Sequence, residues 1–315
     1  MAAQGVDTVR GIRLRSGEPA LLVSAAVYGV STTVSVVALR AVRPADLLAI
    51  EISGAAAMLL VTAAARGQLR RRGAPRQLLL GVLVPGLAFL FGDLGLARTS
   101  ASDGSLLLAA EPLLSVLLAL AVLGERLPGR GVTALVVGLT GGALVAFQPG
   151  GPSGTSTMLG NVLVLLAVVA AAAFLICARR FTGGDGDGLN ATAWQSTGGA
   201  LSVLPFVTAS WSTGGTRLDT VGAGGWVACI AVVACGAVGG VSFNRGIVRV
   251  PAARAAQLGN LTPVVGTLTA VAFLGDRPSL LQWVGGAGIL GGIALLLEPE
   301  PSYPLEEHDD QPDRP

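Results

Sequence analysis

Ten apolar blocks, each close to the length of a membrane-crossing helix, constrain this 315-residue chain more than any other feature. They run at 20–38, 45–65, 77–97, 104–123, 131–147, 157–178, 192–211, 226–246, 255–274 and 280–297. A helix rises about 1.5 Å per residue, so about 20 apolar residues cross the hydrocarbon core. With 52% hydrophobic residues, 13% charged residues and a mean hydropathy of +0.68, the chain reads as an all-α integral membrane protein with ten transmembrane helices.

The first block follows Arg10, Arg13 and Arg15, as a signal peptide would. Its apolar length exceeds a typical signal core and no A-x-A site follows, so it reads as the first span. With the N-terminus inside, sixteen arginines fall in inner segments and five, Arg40, Arg43, Arg98, Arg217 and Arg277, in outer loops. That bias predicts both termini in the cytosol and an even number of spans. Trp194 and Trp211 bracket the seventh block about 25 Å apart if helical, a spacing suited to interfacial anchoring, and Trp226 and Trp283 begin helices at the outer surface.

All 21 basic residues are Arg, and the single His, His308, lies in the polar tail. Without Lys there is no P-loop phosphate lysine and no Schiff base; without an intramembrane His there is no Ser/His/Asp triad and no His-rich zinc cluster. Cys177, Cys229 and Cys235 fall inside apolar segments without a CxxC and read as small core residues. The chain also carries no DDxxD or HExxH, so no enzyme, metal site, cofactor or nucleic-acid partner is expected. Missing Lys beside abundant Ala, Gly, Val and Arg matches the codon bias of a high-GC bacterium, hence a bacterial plasma (inner) membrane.

The two halves are related. At an offset of 151, "PLLSVLLALAVLGER" (112–126) lies on "PVVGTLTAVAFLGDR" (263–277) with seven of fifteen residues identical, including Pro112/Pro263. Gly95/Gly246 and Arg98/Arg249 coincide upstream, where Asp93 meets Asn244. Downstream, Gly138-xxx-Gly142 matches Gly288-xxx-Gly292 after a one-residue gap, spacing that lets backbones approach either within the fold or between protomers of a homodimer. The Gly/Pro/Ser run "QPGGPSGTST" (148–157) separates the halves. Five spans is an odd number, so the second repeat crosses in the opposite sense, the inverted-repeat plan of secondary transporters. The expected organisation is a cytosolic segment 1–19, a first five-helix repeat 20–149, a linker 150–156, a second repeat 157–297 and an acidic, Pro-rich tail 298–315 that stays disordered.

Two halves of five spans, each with a penultimate helix reading small residue, Pro and then L-G-[ED]-R, resemble the EamA-type members of the drug/metabolite transporter superfamily. The resemblance covers roughly residues 20–297; it is most specific at 99–149 and 250–298, where "TSASDGSLLLAAEP" and "VPAARAAQLGNLTP" approach each proline. The aromatic-Gly pair common in the family's first helix is Tyr28-Gly29 here, while Glu51 stands in the second helix, where the family often has a basic residue. The resemblance implies an alternating-access carrier of small metabolites, amino acids or drugs, often an exporter.

Several residues are candidates for a transport site. Pro112 and Pro263 each deprive a carbonyl four residues earlier, Leu108 or Gly259, of its donor. Irregular backbone at membrane depth is tolerated against protein or a water-filled cavity, so the two breaks are expected to face a shared cavity, with a packing kink as the alternative. Glu111 lies about eleven residues from the cytosolic end of its block, too deep to snorkel, at an expected insertion cost of about 2.5–3.5 kcal/mol. It is therefore protonated, paired or in water; a proton coupler or cation site and a silent structural pair both stay open. Glu51, after Pro44, pairs with an Arg or joins Glu111 in an acidic cavity. Gln257, Asn260 and Thr267 form one polar stripe on the ninth block, lining the cavity or bonding between helices. Asp93 and Arg245 read as interfacial, Arg254 as a positive-inside anchor, and Glu125-Arg126 and Asp276-Arg277 as solvated pairs or caps at topology or gating contacts.

The expected function is a secondary-active transporter, in the exporting direction, with protons as coupling ion and the bilayer and a small molecule as partners. A membrane scaffold or receptor that transports nothing is the alternative.

Overall fold

The computed structural model describes residues 17–123, 129–146, 156–181, 188–250, 255 and 258–297, and these are helical apart from short turns and one Leu218–Thr220 3-10 turn. Glu125, Arg126, Arg254 and Gln257 lie outside the described residues. Helix α1 spans Glu18–Ala41 and α2 spans Pro44–Ala65, each with a proline at its first or second position, where the missing N–H has no intrahelical acceptor to lose. Asp46 in the first turn of α2 accepts from Arg43 N at 3.4 Å, half of a capping box.

The third crossing is two helices, not one. Helix α3 (Ala74–Gly81) passes through a π turn at Val82–Leu87 into α4 (Ala88–Leu96), with Val84 in a non-helical conformation before Pro85. The continuous block at 77–97 hid this break. The fourth crossing is also divided: α5 (Ala101–Leu108) starts on an N-cap at Ser100, whose hydroxyl accepts from Asp103 N at 3.0 Å. It stops before Pro112 with tight i→i+3 bonds from Ala109 N to Leu106 O (3.2 Å) and Ala110 N to Leu107 O (3.0 Å). Helix α6 then begins at Glu111, which places that acid in the first turn of a new helix.

Helices α7 (Gly129–Ala146), α8 (Met158–Phe181), α9 (Gly188–Gly214) and α10 (Ala223–Ile247) follow. Near Pro263, a turn at Asn260 precedes α11 (Leu261–Thr269), which runs on as a π turn over Ala270–Leu274 and ends at Gly275, whose φ of 69° is the left-handed value a glycine accepts freely. Helix α12 (Leu280–Leu297) is last.

Six helical segments among the described residues are long and apolar enough to cross a membrane: Glu18–Ala41, Pro44–Ala65, Ala74–Leu96, Ala101–Leu118, Met158–Ala178 and Ala223–Ile247. Gly129–Val145, Leu261–Leu274 and Leu280–Leu295 are apolar but shorter. Glycines set the closest packing. A Cβ on Gly141 of α7 would lie 2.4 Å from Gly285 O of α12, and one on Gly292 would lie 2.6 Å from Ala134 O and 2.8 Å from Gly138 Cα. Gly138, Gly288 and Gly292 thus pack α7 on α12 within the chain, while Gly142 meets nothing within 4 Å.

Candidate functional site

The Tyr28-Gly29 pair on α1 stands where both broken helices meet. A Cβ on Gly29 would lie 2.6 Å from Thr262 O and 2.8 Å from Val265 Cβ, so α1 touches the backbone of α11 beside Pro263. One turn further along, the hydroxyls of Thr33 and Thr269 are 2.8 Å apart. Helix α5 reaches the same place, because Ser105 Oγ packs against Gly266. The Tyr28 ring turns the other way and lies on Gly239 of α10, where a Cβ would be 2.9 Å from Cζ. Glu111, half-buried at the start of α6, is within electrostatic range of the Tyr28 hydroxyl.

At this junction Ser105 Oγ and Thr267 Oγ1 are buried, and neither is hydrogen-bonded to another of the described residues; Ser115 Oγ on α6 is likewise buried without such a partner. A buried hydroxyl left unbonded costs about 1–3 kcal/mol, so such atoms mark a place where water or a solute supplies the missing bond. Glu111 sits in the first turn of α6, at its amino end.

A second acidic centre lies apart from the first. Glu51 of α2 and Asp93 of α4 are each 4% exposed, with Glu51 Oε1 and Asp93 Oδ2 buried and accepting no hydrogen bond from the described residues. The two carboxyl groups lie within reach of one another, close enough to share a proton, with Cys229 of α10 alongside. Asp93 is therefore buried within the protein rather than solvated, and among the described residues Glu51 stands beside Asp93 and not beside an Arg or Glu111. Sequence reasoning set the two acids in separate environments because each was judged by its distance from a helix end. Arg245 is exposed, as an interfacial residue would be.

A third cluster ties the repeats together at one end. Ser102 N and Oγ donate to Asp276 Oδ2 at 3.0 and 2.9 Å, and Gln282 Nε2 donates to Asp103 Oδ1 at 2.5 Å. Ser156 Oγ donates to the other oxygen of Asp103 and accepts from Ser100 N at 3.1 Å. Asp276 is thus a buried link between α5 and the loop before α12, and not a solvated loop charge. Ser102, Asp103 and Gln282 were missed as members; the short polar run "SASD" before an apolar block was the available signal.

The structure thus brings Tyr28, Glu111, Thr267 and the segments at Pro112 and Pro263 to one junction. Asn260, half-buried, stands at the N-cap of α11 without a side-chain capping bond. Glu51 belongs to the separate pair with Asp93. Near the ends of α9, Trp211 Nε1 donates to Asp46 Oδ1 of α2 at 2.8 Å and Trp194 Nε1 to Arg70 O of the α2–α3 loop at 2.9 Å, so both rings are held by bonds to the first repeat.

Comparison with known proteins places this architecture. The chain matches the EamA-like transporter family over residues 15–147 and again over 158–298, once for each half. It is 28% identical over 206 residues to a "Probable terminal-alkyne amino-acid exporter" of Streptantibioticus cattleyicolor, an alignment covering 64% of this chain and 66% of that protein, just under two thirds of its length. It is 26% identical over 242 residues to the "Uncharacterized transporter YyaM" of Bacillus subtilis, covering 75% and 77% of the two chains. A crystal structure of a protein with 20% identity superposes with a TM-score of 0.60 over 90% of this chain and 97% of its own, which shows a shared fold. With two family matches, several apolar helices long enough to cross a bilayer and transporters among its relatives, this multi-pass membrane protein belongs to the EamA-like transporter family.

Proposed function

We propose that the chain is a secondary-active carrier that exports a small amine-bearing metabolite, such as an amino acid, by alternating access. Ten crossings arranged as inverted repeats, 20–149 and 157–297, rock about the junction of α1, α5–α6 and α11, with both termini in the cytosol of a bacterium. The observation that carries this reading is the meeting of α5 and α11, each beside a proline-marked interruption, at Gly266, where Gly29 of α1 also packs, with Glu111 at the amino end of α6. Interrupted helices leave backbone groups free to bind a solute at depth, which continuous helices do not.

Glu111 and the Tyr28 hydroxyl form the polar wall of the site, with Thr267 and Asn260 opposite and Gln257 continuing the stripe. An acid beside an aromatic ring suits a primary ammonium group through charge and cation–π attraction. The relative named as a terminal-alkyne amino-acid exporter supports an amino-acid-like substrate. Glu111 exchanges a proton for the substrate ammonium, which couples export to the inward proton gradient.

The test is counterflow in liposomes containing the purified chain and a panel of radiolabelled amino acids and organic amines. At least one amine-bearing compound is expected to enter loaded liposomes faster than protein-free ones. Protein-free rates for every amine, beside uptake of an acid without an amine, would reject the substrate class.

A further inference from the structure

In the second repeat, α9 and α10 are joined by two amides. Asn244 Nδ2 donates to Gln195 Oε1 at 3.0 Å, to Thr192 Oγ1 at 2.9 Å and to Gly240 O at 3.1 Å, while Gln195 Nε2 donates to Gln77 Oε1 at 2.8 Å. Asp93 is the first-repeat counterpart of Asn244: the offset is 151, and each stands three residues before the last residue of its helix, Leu96 or Ile247. The partner of Asp93 is Glu51, seven residues beyond Pro44, as the partner of Asn244 is Gln195, seven beyond Gly188. The same contact between the second and third crossings of a repeat therefore occurs twice, amide to amide in one half and carboxyl to carboxyl in the other.

The chemistry of the two contacts differs in one respect. An amide carries a donor and an acceptor, so the Gln195–Asn244 bond is permanent; a carboxylate carries acceptors alone. The Glu51–Asp93 bond therefore exists only while the pair holds a proton. No N–H or O–H of the described residues donates to Glu51 Oε1 or Asp93 Oδ2, so nothing else in the described fold neutralises or bridges those atoms.

The surroundings are otherwise nearly free of charge. Helix α10 contributes the Cys229 thiol. Further along α2, Asp46 is taken up by Trp211 Nε1 of α9 and by the backbone N–H groups of Arg43 and Arg217. Helix α9 presents Val203 and Val207 to Leu48 and Ile52 around Glu51, and α8 presents Ala167 to Gly92 beside Asp93. The titratable and charged groups of α1 are Glu18 and Arg40, at its two ends, and Tyr28, which lies against Gly239 and within electrostatic range of Glu111.

We propose that Glu51 and Asp93 form a one-proton binding site that makes the first repeat responsive to pH, where the second repeat is locked by amides. Release of the proton to water leaves two carboxylates in contact, which repel and loosen α2 from α4; uptake restores the bond. Its use in coupling rests on the carrier reading above, while proton binding by the pair does not.

Two readouts on the purified full-length protein test this without a substrate: the protonated-carboxyl band in infrared difference spectra, and Tm as a function of pH. The bonded form carries the extra proton, so wild-type Tm should fall as pH rises while part of the carboxyl band is lost. The double variant Glu51→Gln/Asp93→Asn installs the amide pair of the second repeat, and should lose that part of the band and flatten the Tm profile, leaving what Glu111 contributes. Glu51→Gln alone, in which the new amide donates to the Asp93 carboxylate, should do the same if the double variant folds poorly. A band and a Tm profile unchanged in both variants would overturn the proposal, as would a wild-type Tm shift that follows sodium concentration at fixed pH. Either result stands whether or not liposomes show transport, and a pH-driven carrier whose variants keep the wild-type profile would contradict the site and leave the carrier intact.

Discussion

Ser102 gives both its backbone N–H and its hydroxyl to one carboxylate oxygen of Asp276, at 3.0 and 2.9 Å, and so fastens the start of α5 to the turn that follows α11. The two bonds differ in what their loss leaves behind. Asp276→Ala strands a buried N–H and should cost about 1–3 kcal/mol, whereas Ser102→Ala keeps the backbone bond and should cost about 1 kcal/mol. Thermal unfolding in detergent ranks the two, and an equal loss would contradict the double bond as the source of the link.

Gly29 is expected to be irreplaceable for a steric reason. Its Cβ position is 2.6 Å from Thr262 O, a backbone atom, so Gly29→Ala must push α1 away from α11 at a cost of about 1–3 kcal/mol. Gly142 has no atom within 4 Å of its Cβ position, so Gly142→Ala should leave Tm unchanged or raise it slightly, since alanine favours a helix. A pair of variants with the same Tm would mean that α1 and α11 yield easily.

The glycine stripes of α7 and α12 make a prediction about assembly as well as stability. Gly141→Ala sets a methyl group 2.4 Å from Gly285 O and should lower Tm without changing the mass measured by light scattering. A change of mass with Tm intact would mean that the stripe joins two chains.

Much of this fold was legible because the signals were local or repeated. Apolar length marked the helices, and the repeated proline with its L-G-[ED]-R ending marked the position where α5 gives way to α6 and where the turn at Asn260 precedes α11. Pro85 was passed over because it had no counterpart: Gly236 stands at the same offset inside an unbroken α10. The Glu51–Asp93 contact was hidden by a change of register. Glu51 and Gln195 are 144 apart whereas Asp93 and Asn244 are 151 apart, so a single offset laid Glu51 on Ser202 and the two pairs never came into line. Asp276 read as a solvated pair or a cap, and it accepts from the first turn of α5; which helix it serves was not legible, because Ser102 is 174 residues away.

Export by a proton-linked carrier with Glu111 at its centre is tested most directly by one comparison: pH-gradient-driven accumulation of a counterflow-positive amine in liposomes bearing wild type or Glu111→Gln. A glutamine cannot carry a proton across, so the account predicts gradient-driven accumulation in wild type and its loss in the variant, with gradient-free exchange retained. Undiminished accumulation by Glu111→Gln would contradict it.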